Sequence, residues 1–209
     1  AGSLCGLNPC GVTISPVEKT PLDTIDVLID FSLPGGLSAL LDRINTQALV
    51  TGTTGLSPEQ EQSLQRQSNR APVLTAANFS AGIAVLEHLA AQAASALPEY
   101  DIEIVEAHHR FKRDAPSGTA LALGRAVAKA REITLNEQSA HGRHGDAPRT
   151  IGEVGFHALR CGDIVGEHQV WLAGSGERIQ LGHVATSRDT FAQGATRAAQ
   201  WVASKGPGM

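Results

Sequence analysis

The sequence predicts an α/β protein in two parts: a parallel sheet with helices on its faces, then an open, mostly antiparallel sheet that carries further helices. Three observations lead there. Short β-branched or apolar runs alternate three times with helical patterns between residues 25 and 97, the rhythm of a parallel sheet joined by crossover helices. Residues 151–186 then hold three strand-like runs in succession, each bounded by glycine or charge. The 209 residues are 42% hydrophobic, enough for one substantial core or two small ones, and Gly 22 with Pro 10 fits neither a collagen-like nor a disordered chain.

Taken in order, residues 1–24 have poor periodicity and read as loop with one short strand around Val12 to Ile14. IDVLIDF (25–31) is a strand, LPGG a turn, and the apolar-periodic stretch from Leu37 to Ile44 a helix. ALVTGTTG (48–55) repeats the strand and turn; Ser57, Pro58 and Gln60 then supply an N-cap, a proline for the first helical turn and a reciprocal capping side chain. APVLTAANFSAG (71–82) is a third strand and polar turn, with Ser80 capping an alanine-rich helix through about Leu97. YDIEIVEAHH (100–109) alternates like a half-buried strand, on which Glu103 and Glu106 are read as sharing one face. APSGTALALGRAVAKAR (115–131) is a helix opened by Pro and Ser. Strands over 151–160, 164–173 and 177–186 follow, with Gly162, Asp163 and Gly166 shaping a hairpin turn, and a last helix covers 189–203. The domain boundary is expected near residues 79–82.

A net charge of -4 excludes a globally basic nucleic-acid binder but leaves room for one local basic pocket. No apolar run approaches the roughly 20 residues that span a bilayer, and AGSLCGLNPCG lacks the basic and apolar regions of a secretory signal, so the expected location is cytoplasmic. Cys5, Cys10 and Cys161 read as thiols of a reducing compartment. His141 and His144 in AHGRHGDAPR lack cysteine or carboxylate at ligand spacing, so that stretch reads as a flexible charged loop and no metal site is expected. No G-x-S-x-G, H-E-x-x-H or P-loop pattern occurs.

Chemistry concentrates in EIVEAHHRFKRDAPSGTA, residues 103–120. His108, His109, Arg110, Lys112 and Arg113 fall between a strand end and a helix whose first turn carries Ser117, Gly118 and Thr119. Exposed N–H groups at a helix start favour an anion, Gly118 allows close approach, and Thr119 adds a hydroxyl; the expected ligand is a small carboxylate. His108 can titrate near neutral pH, and Lys112 in a crowd of positive charge can serve as a proton donor. The alternative is a solvated basic turn. Glu103 or Glu106 can orient a histidine, or simply face solvent. A second cluster, GTTG (52–55) with AANFS (76–80), is placed by this reading at the carboxyl ends of parallel strands, where ligands bind; the alternative is a plain turn before a capped helix.

Residues 103–120, with DVLIDFS, VTGTTG, AANFS, GFHALRCGDIVGEH and TSRDTFAQGA, give the chain a resemblance over nearly its whole length to the 4-hydroxy-tetrahydrodipicolinate reductase (dihydrodipicolinate reductase) family of lysine and diaminopimelate biosynthesis. The resemblance implies a Rossmann-type parallel-sheet nucleotide domain over residues 1–79, completed by 188–209. A mixed α/β substrate and tetramerisation domain would span 80–187. It implies a homotetramer with no nucleic-acid or membrane partner, using NADH or NADPH to reduce a heterocyclic dicarboxylate. His108 would be the acid/base residue and Lys112 the proton donor. His109, Gly118, Thr119 and Thr54 would hold the substrate; Gly52, Thr53 and Thr54, with Ala76, Ala77, Asn78 and Phe79, would line the nicotinamide. The family pattern also opens with a strand and a G-x-x-G-x-x-G loop, and no such segment occurs in these residues, so that N-terminal unit is expected to be absent. A non-catalytic dicarboxylate-binding or structural fragment is the alternative on that ground.

Overall fold

A computed structural model describes residues 19–209; Cys5, Cys10 and the strand expected at 12–14 lie outside them. The chain divides into two compact units, one formed by the residues up to Thr75 with Ala199–Met209, the other by Ala76–Ala198.

In the first unit, β1 (Val27–Asp30), β2 (Ala48–Thr51) and β3 (Val73–Thr75) form a wholly parallel sheet in the order β1-β2-β3. The central strand, ALVT, is buried along its whole length, as a continuous apolar run predicts for a strand covered on both faces. Helices α1 (Pro34–Leu41) and α2 (Pro58–Ser68) make the crossovers, and Leu37, Leu40, Leu49, Leu64 and Val73 share one core. LPGG is not a turn before α1 but its beginning. Pro34 occupies the first helical turn, where its missing N–H costs nothing, and its fixed φ leads the two glycines into the helix. The capping box of α2 forms in full: Gln60 N donates to Ser57 Oγ at 3.4 Å and Ser57 N to Gln60 Oε1 at 2.9 Å, an arrangement worth about 1 kcal/mol. Val73 N donates to Gly208 O at 2.8 Å, which ties the C-terminal residues to β3.

The second unit contains α3 (Ala81–Ala96), β4 (Asp101–His108), α4 (Gly118–Ala130), α5 (Leu135–Gln138), β5 (Ser139–His141), β6 (Val154–Arg160), β7 (Gly166–Ala173) and β8 (Arg178–Ala185); α6 (Asp189–Val202) then returns the chain to the first unit. The sheet order is β5-β6-β4-β7-β8. It is mixed rather than mostly antiparallel: β4–β6 and β5–β6 pair parallel, β4–β7 and β7–β8 antiparallel. The expected hairpin over Gly162–Gly166 is also corrected, because β4 lies between β6 and β7 and the connection passes over its end. The charged loop expected around His141 contains β5, an edge strand too short to show any periodicity. Period two places Ile102, Ile104, Glu106 and His108 on the face covered by α3 and α4, where Ile83, Leu86, Leu123 and Val127 complete the core. Glu103, three residues from Glu106, is therefore on the opposite face and not the same one; it meets His157 Nε2 at 2.7 Å and Arg143 Nη1 at 2.9 Å there. No helix among the described residues is long and apolar enough to cross a membrane.

Candidate active site

The second unit gathers its polar chemistry at the carboxyl end of β4. Glu106 and His108, two residues apart on one strand, point to the same face, and Glu106 Oε2 lies 2.6 Å from His108 Nδ1. Register supplies their neighbours. Arg160 of β6 stands opposite His108, and His168 of β7 opposite Glu106. Arg160 grips both carboxylate oxygens, Nη1 to Oε2 and Nη2 to Oε1, each at 2.8 Å. Ser117 N, at the N-terminus of α4, donates to Oε1 at 3.1 Å. Burial works to raise the Glu106 pKa, but hydrogen bonds from His108 and Arg160 and their positive charge outweigh it, and hold the carboxyl down at about 2.

The segment joining β6 to β7 closes over the strand end: Cys161 N donates to His108 O at 2.9 Å and Arg110 N to Gly162 O at 3.2 Å. Cys161 itself is a free, exposed thiol. His168 is buried edge-on to His108, ring centroids 5.1 Å apart, with Nε2 3.0 Å from Ser117 Oγ. Ser117 also caps α4, accepting from Ala120 N at 3.2 Å. The turn after β4 is closed by Lys112 N donating to His109 O at 3.1 Å, and Lys112 Nζ pairs with Asp114 at 2.9 Å. Gly118 opens α4, and buried Thr119 accepts from Asn78 Nδ2 at 3.0 Å. Asn78 Oδ1 in turn accepts from Ser80 N at 2.8 Å, so the 76–79 segment is fixed between the starts of α3 and α4.

Of the residues singled out from the sequence, His108, His109, Lys112, Gly118 and Thr119 thus belong to the second unit, together with Ala76, Ala77, Asn78 and Phe79. Gly52, Thr53 and Thr54 belong to the first, on the turn after β2. There Asp30 accepts from Ser32 Oγ at 2.6 Å, Thr51 Oγ1 at 2.7 Å and Thr53 Oγ1 at 2.7 Å. Burial would raise the Asp30 pKa, and these hydrogen bonds together lower it. Sequence reasoning missed Arg160 and His168, and the N–H groups it assigned to an anion at the start of α4 include the Ser117 amide, which serves Glu106. The Glu-x-His spacing on a strand was a legible signal for the carboxylate–imidazole pair; the arginine and the second histidine come from strands whose pairing no local pattern specifies. Among the described residues no group of three His, Cys, Asp or Glu side chains is arranged to hold a metal ion.

Burial, reinforced by the charge of His108, lowers the His168 pKa to about 4 from an ordinary 6.5. Between these values the unfolded chain binds a proton that the folded one refuses. Stability is therefore expected to fall as pH drops through that window, by about 3 kcal/mol near its lower end. Glu106, depressed from 4.5, adds its own loss below that pH. Urea unfolding at a series of pH values checks this: His168→Gln should flatten the dependence above pH 4.5 or so, and an unchanged slope would place the effect elsewhere.

A carboxylate-braced imidazole, a loop lysine and a helix N-terminus meet at one strand end of this α/β protein, an arrangement that can exchange a proton beside an anionic ligand. Residues 1–79 match the family description "Dihydrodipicolinate reductase, N-terminus" and residues 82–209 match "Dihydrodipicolinate reductase, C-terminus". The chain belongs to the dihydrodipicolinate reductase family. It is 48% identical over 202 residues to 4-hydroxy-tetrahydrodipicolinate reductase of a Nitratiruptor species, covering 95% of this chain and 80% of that one. The Nitrosospira multiformis reductase is 47% identical, over 100% of this chain and 79% of its own length. Among solved structures, dipicolinate-bound dihydrodipicolinate reductase from Paenisporosarcina sp. TG-14 superposes with a TM-score of 0.64 at 26% identity, covering 88% of this chain and 71% of that one.

Proposed function

We propose that this chain catalyses the NAD(P)H-dependent reduction of 4-hydroxy-tetrahydrodipicolinate to tetrahydrodipicolinate in lysine and diaminopimelate biosynthesis. The observation that carries the reading is that Glu106 ties the His108 imidazole to the N-terminus of α4, bringing an acid–base group and an anion-favouring helix start to one place. Residues 1–79 with 188–209 would form the dinucleotide-binding domain and 80–187 the substrate-binding and oligomerisation domain.

The residues present suit the nicotinamide end of such a cofactor. Gly52 leaves its Cα face to the Phe31 ring, which a Cβ would strike, and that ring is 55% exposed beside the polar GTTG turn, a setting that accommodates a flat ring bearing a carboxamide. Gly52, Thr53 and Thr54, with Ala76, Ala77, Asn78 and Phe79, would hold it. When bound, NADH or NADPH supplies the hydride. The chain's own residues bind, orient and manage protons. His109, Gly118, Thr119 and Thr54 would hold the substrate carboxylates; Asn78 occupies an acceptor position of the Thr119 hydroxyl, which leaves its proton to give to an anion. Lys112 would donate the proton and His108 act as acid/base, so that developing negative charge is met by groups already in place.

Assembly as a homotetramer is part of the same proposal. Helices cover one face of the five-stranded sheet; the other presents exposed Leu159 and Val184 with Ala107 and Glu167 between them in register, a mixed apolar and polar face that a second copy of the chain would cover.

Calorimetric titration of the purified protein with NADH, NADPH and pyridine-2,6-dicarboxylate tests the reading, with light scattering on the same samples for assembly. Binding of a reduced nicotinamide cofactor and of the dicarboxylate is expected. Dicarboxylate binding without cofactor binding would make the chain a binding module, and neither would make it a structural fragment.

A further inference from the structure

We propose that Glu106 is the positioning residue for His108: clamped by Arg160 and the Ser117 amide, it fixes the proton of the neutral imidazole on Nδ1 and leaves Nε2 bare toward the reacting groups. The proposal rests on the reading of His108 as the acid–base residue and goes beyond it, since it assigns the atom that exchanges the proton and the side chains that decide it.

The geometry leaves Glu106 no other role. Each carboxylate oxygen offers two acceptor positions, and all four are filled. Oε2 takes His108 Nδ1 at 2.6 Å and Arg160 Nη1 at 2.8 Å; Oε1 takes Arg160 Nη2 at 2.8 Å and Ser117 N at 3.1 Å. The residue is 1% exposed, so no solvent competes for these positions. An ionised carboxylate only accepts, so His108 must donate from Nδ1, and a neutral imidazole has a single N–H. Nε2 therefore carries the lone pair.

That nitrogen faces Gly166, the first residue of β7, where a Cβ would lie 3.2 Å from Nε2. The missing side chain keeps this edge of the ring uncrowded. The charged and titratable groups around the imidazole are Glu106 from its own strand, Arg160 from β6 and His168 from β7, with Lys112 and its partner Asp114 on the following loop. Arg160 is a permanent counter-charge, so Glu106 stays ionised whether His108 is neutral or protonated. A proton that arrives at Nε2 leaves from Nε2, and the Nδ1 proton stays where it is. Glu106 touches His108 and not the substrate, which makes it a positioning and not a catalytic residue.

Long-range proton–nitrogen spectra of the protein labelled at its imidazole nitrogens test this directly, with the His108 signals assigned by their loss in His108→Gln. The wild-type spectrum is expected to show neutral His108 protonated on Nδ1, with a downfield Hδ1 resonance from its bond to the carboxylate. In Glu106→Gln the amide can turn its NH2 toward Nδ1, so the tautomer should invert, and kcat should fall about 100-fold with KM for the dicarboxylate changed less than about threefold. An Nε2–H tautomer in the wild type overturns the proposal, a result that needs no variant to fold. So does a Glu106→Gln protein that keeps both the Nδ1–H signal and its kcat. A wild-type protein with the Nδ1–H signal but no turnover supports the positioning and overturns the functional reading instead.

Discussion

Replacing Lys112 by methionine is expected to lower kcat by about 10²–10⁴-fold, the range that a positioned proton donor contributes. The substitution keeps the unbranched stem and removes only the ammonium group and its proton. Lys112 sits on the loop between β4 and α4, partly buried, with Nζ 2.9 Å from Asp114. Asp114 is itself half exposed, so the pair contributes at most about 1 kcal/mol to folding, and the thermal transition should move little. His108→Gln should lower kcat into the same range. If lysine and histidine serve one proton-transfer unit, the double variant will lose far less than the product of the two single losses, because groups that act together fail together. Stopped-flow measurement of reduced-nicotinamide consumption separates the chemical step from product release. A Lys112→Met protein within threefold or so of wild type would remove this lysine from the proton path and leave the imidazole alone to supply it.

The second large effect is on stability. Gly194→Ala in α6 is expected to destabilise the fold by about 3 kcal/mol, although alanine is the better helix former by roughly 1 kcal/mol. Gly194 is pressed against the segment that precedes α3: a Cβ there would overlap the Phe79 carbonyl oxygen and lie 3.3 Å from Phe79 Cβ. The obstacle is backbone, which cannot swing aside as a side-chain end can. Relief requires moving either α6 or the 76–79 segment, and the latter carries the Asn78 bond to Thr119. The Thr119 side chain, proposed to hold the substrate, should therefore loosen along with the fold. Urea unfolding of Gly194→Ala beside Gln193→Ala, an exposed change one residue away on the same helix, checks the claim; the control is expected within about 0.5 kcal/mol of wild type. A stabilised Gly194→Ala would show that helix propensity outweighs the close approach.

Both expectations depend on contacts that differ in how far they could be read along the chain. Lys112 stands four residues from His108 and two from Asp114, within one short stretch whose density of basic residues is visible in the sequence. Gly194, in contrast, looks like an ordinary weak point in a helix until Phe79 is placed against it. The charged stretch around His141 was unreadable in another way. A three-residue edge strand has no periodicity of its own and exists because β6 offers it a partner, with Ser139 opposite Val154 and His141 opposite Phe156. LPGG misled because the same residues suit a turn and a helix start, and the choice falls to Pro34, whose ring fits the first turn of a helix that the apolar residues behind it extend.

What the sequence determined by itself is the local part. Ser57, Ser80 and Ser117 cap their helices because a short hydroxyl side chain can satisfy the N–H groups two or three residues ahead. The apolar runs became strands, and the period of two on β4 set Glu106 and His108 on one face. The basic loop that follows and the helix start beyond it are local features in the same sense. Only the tertiary structure decided what surrounds that pair. Arg160 reaches Glu106 across 54 residues of chain and His168 lies beside Ser117 across 51, through the order β6-β4-β7 and its registers. Pairing order and register are settled by which buried faces and ladder hydrogen bonds can be satisfied together, a property of the whole sheet that no single segment contains.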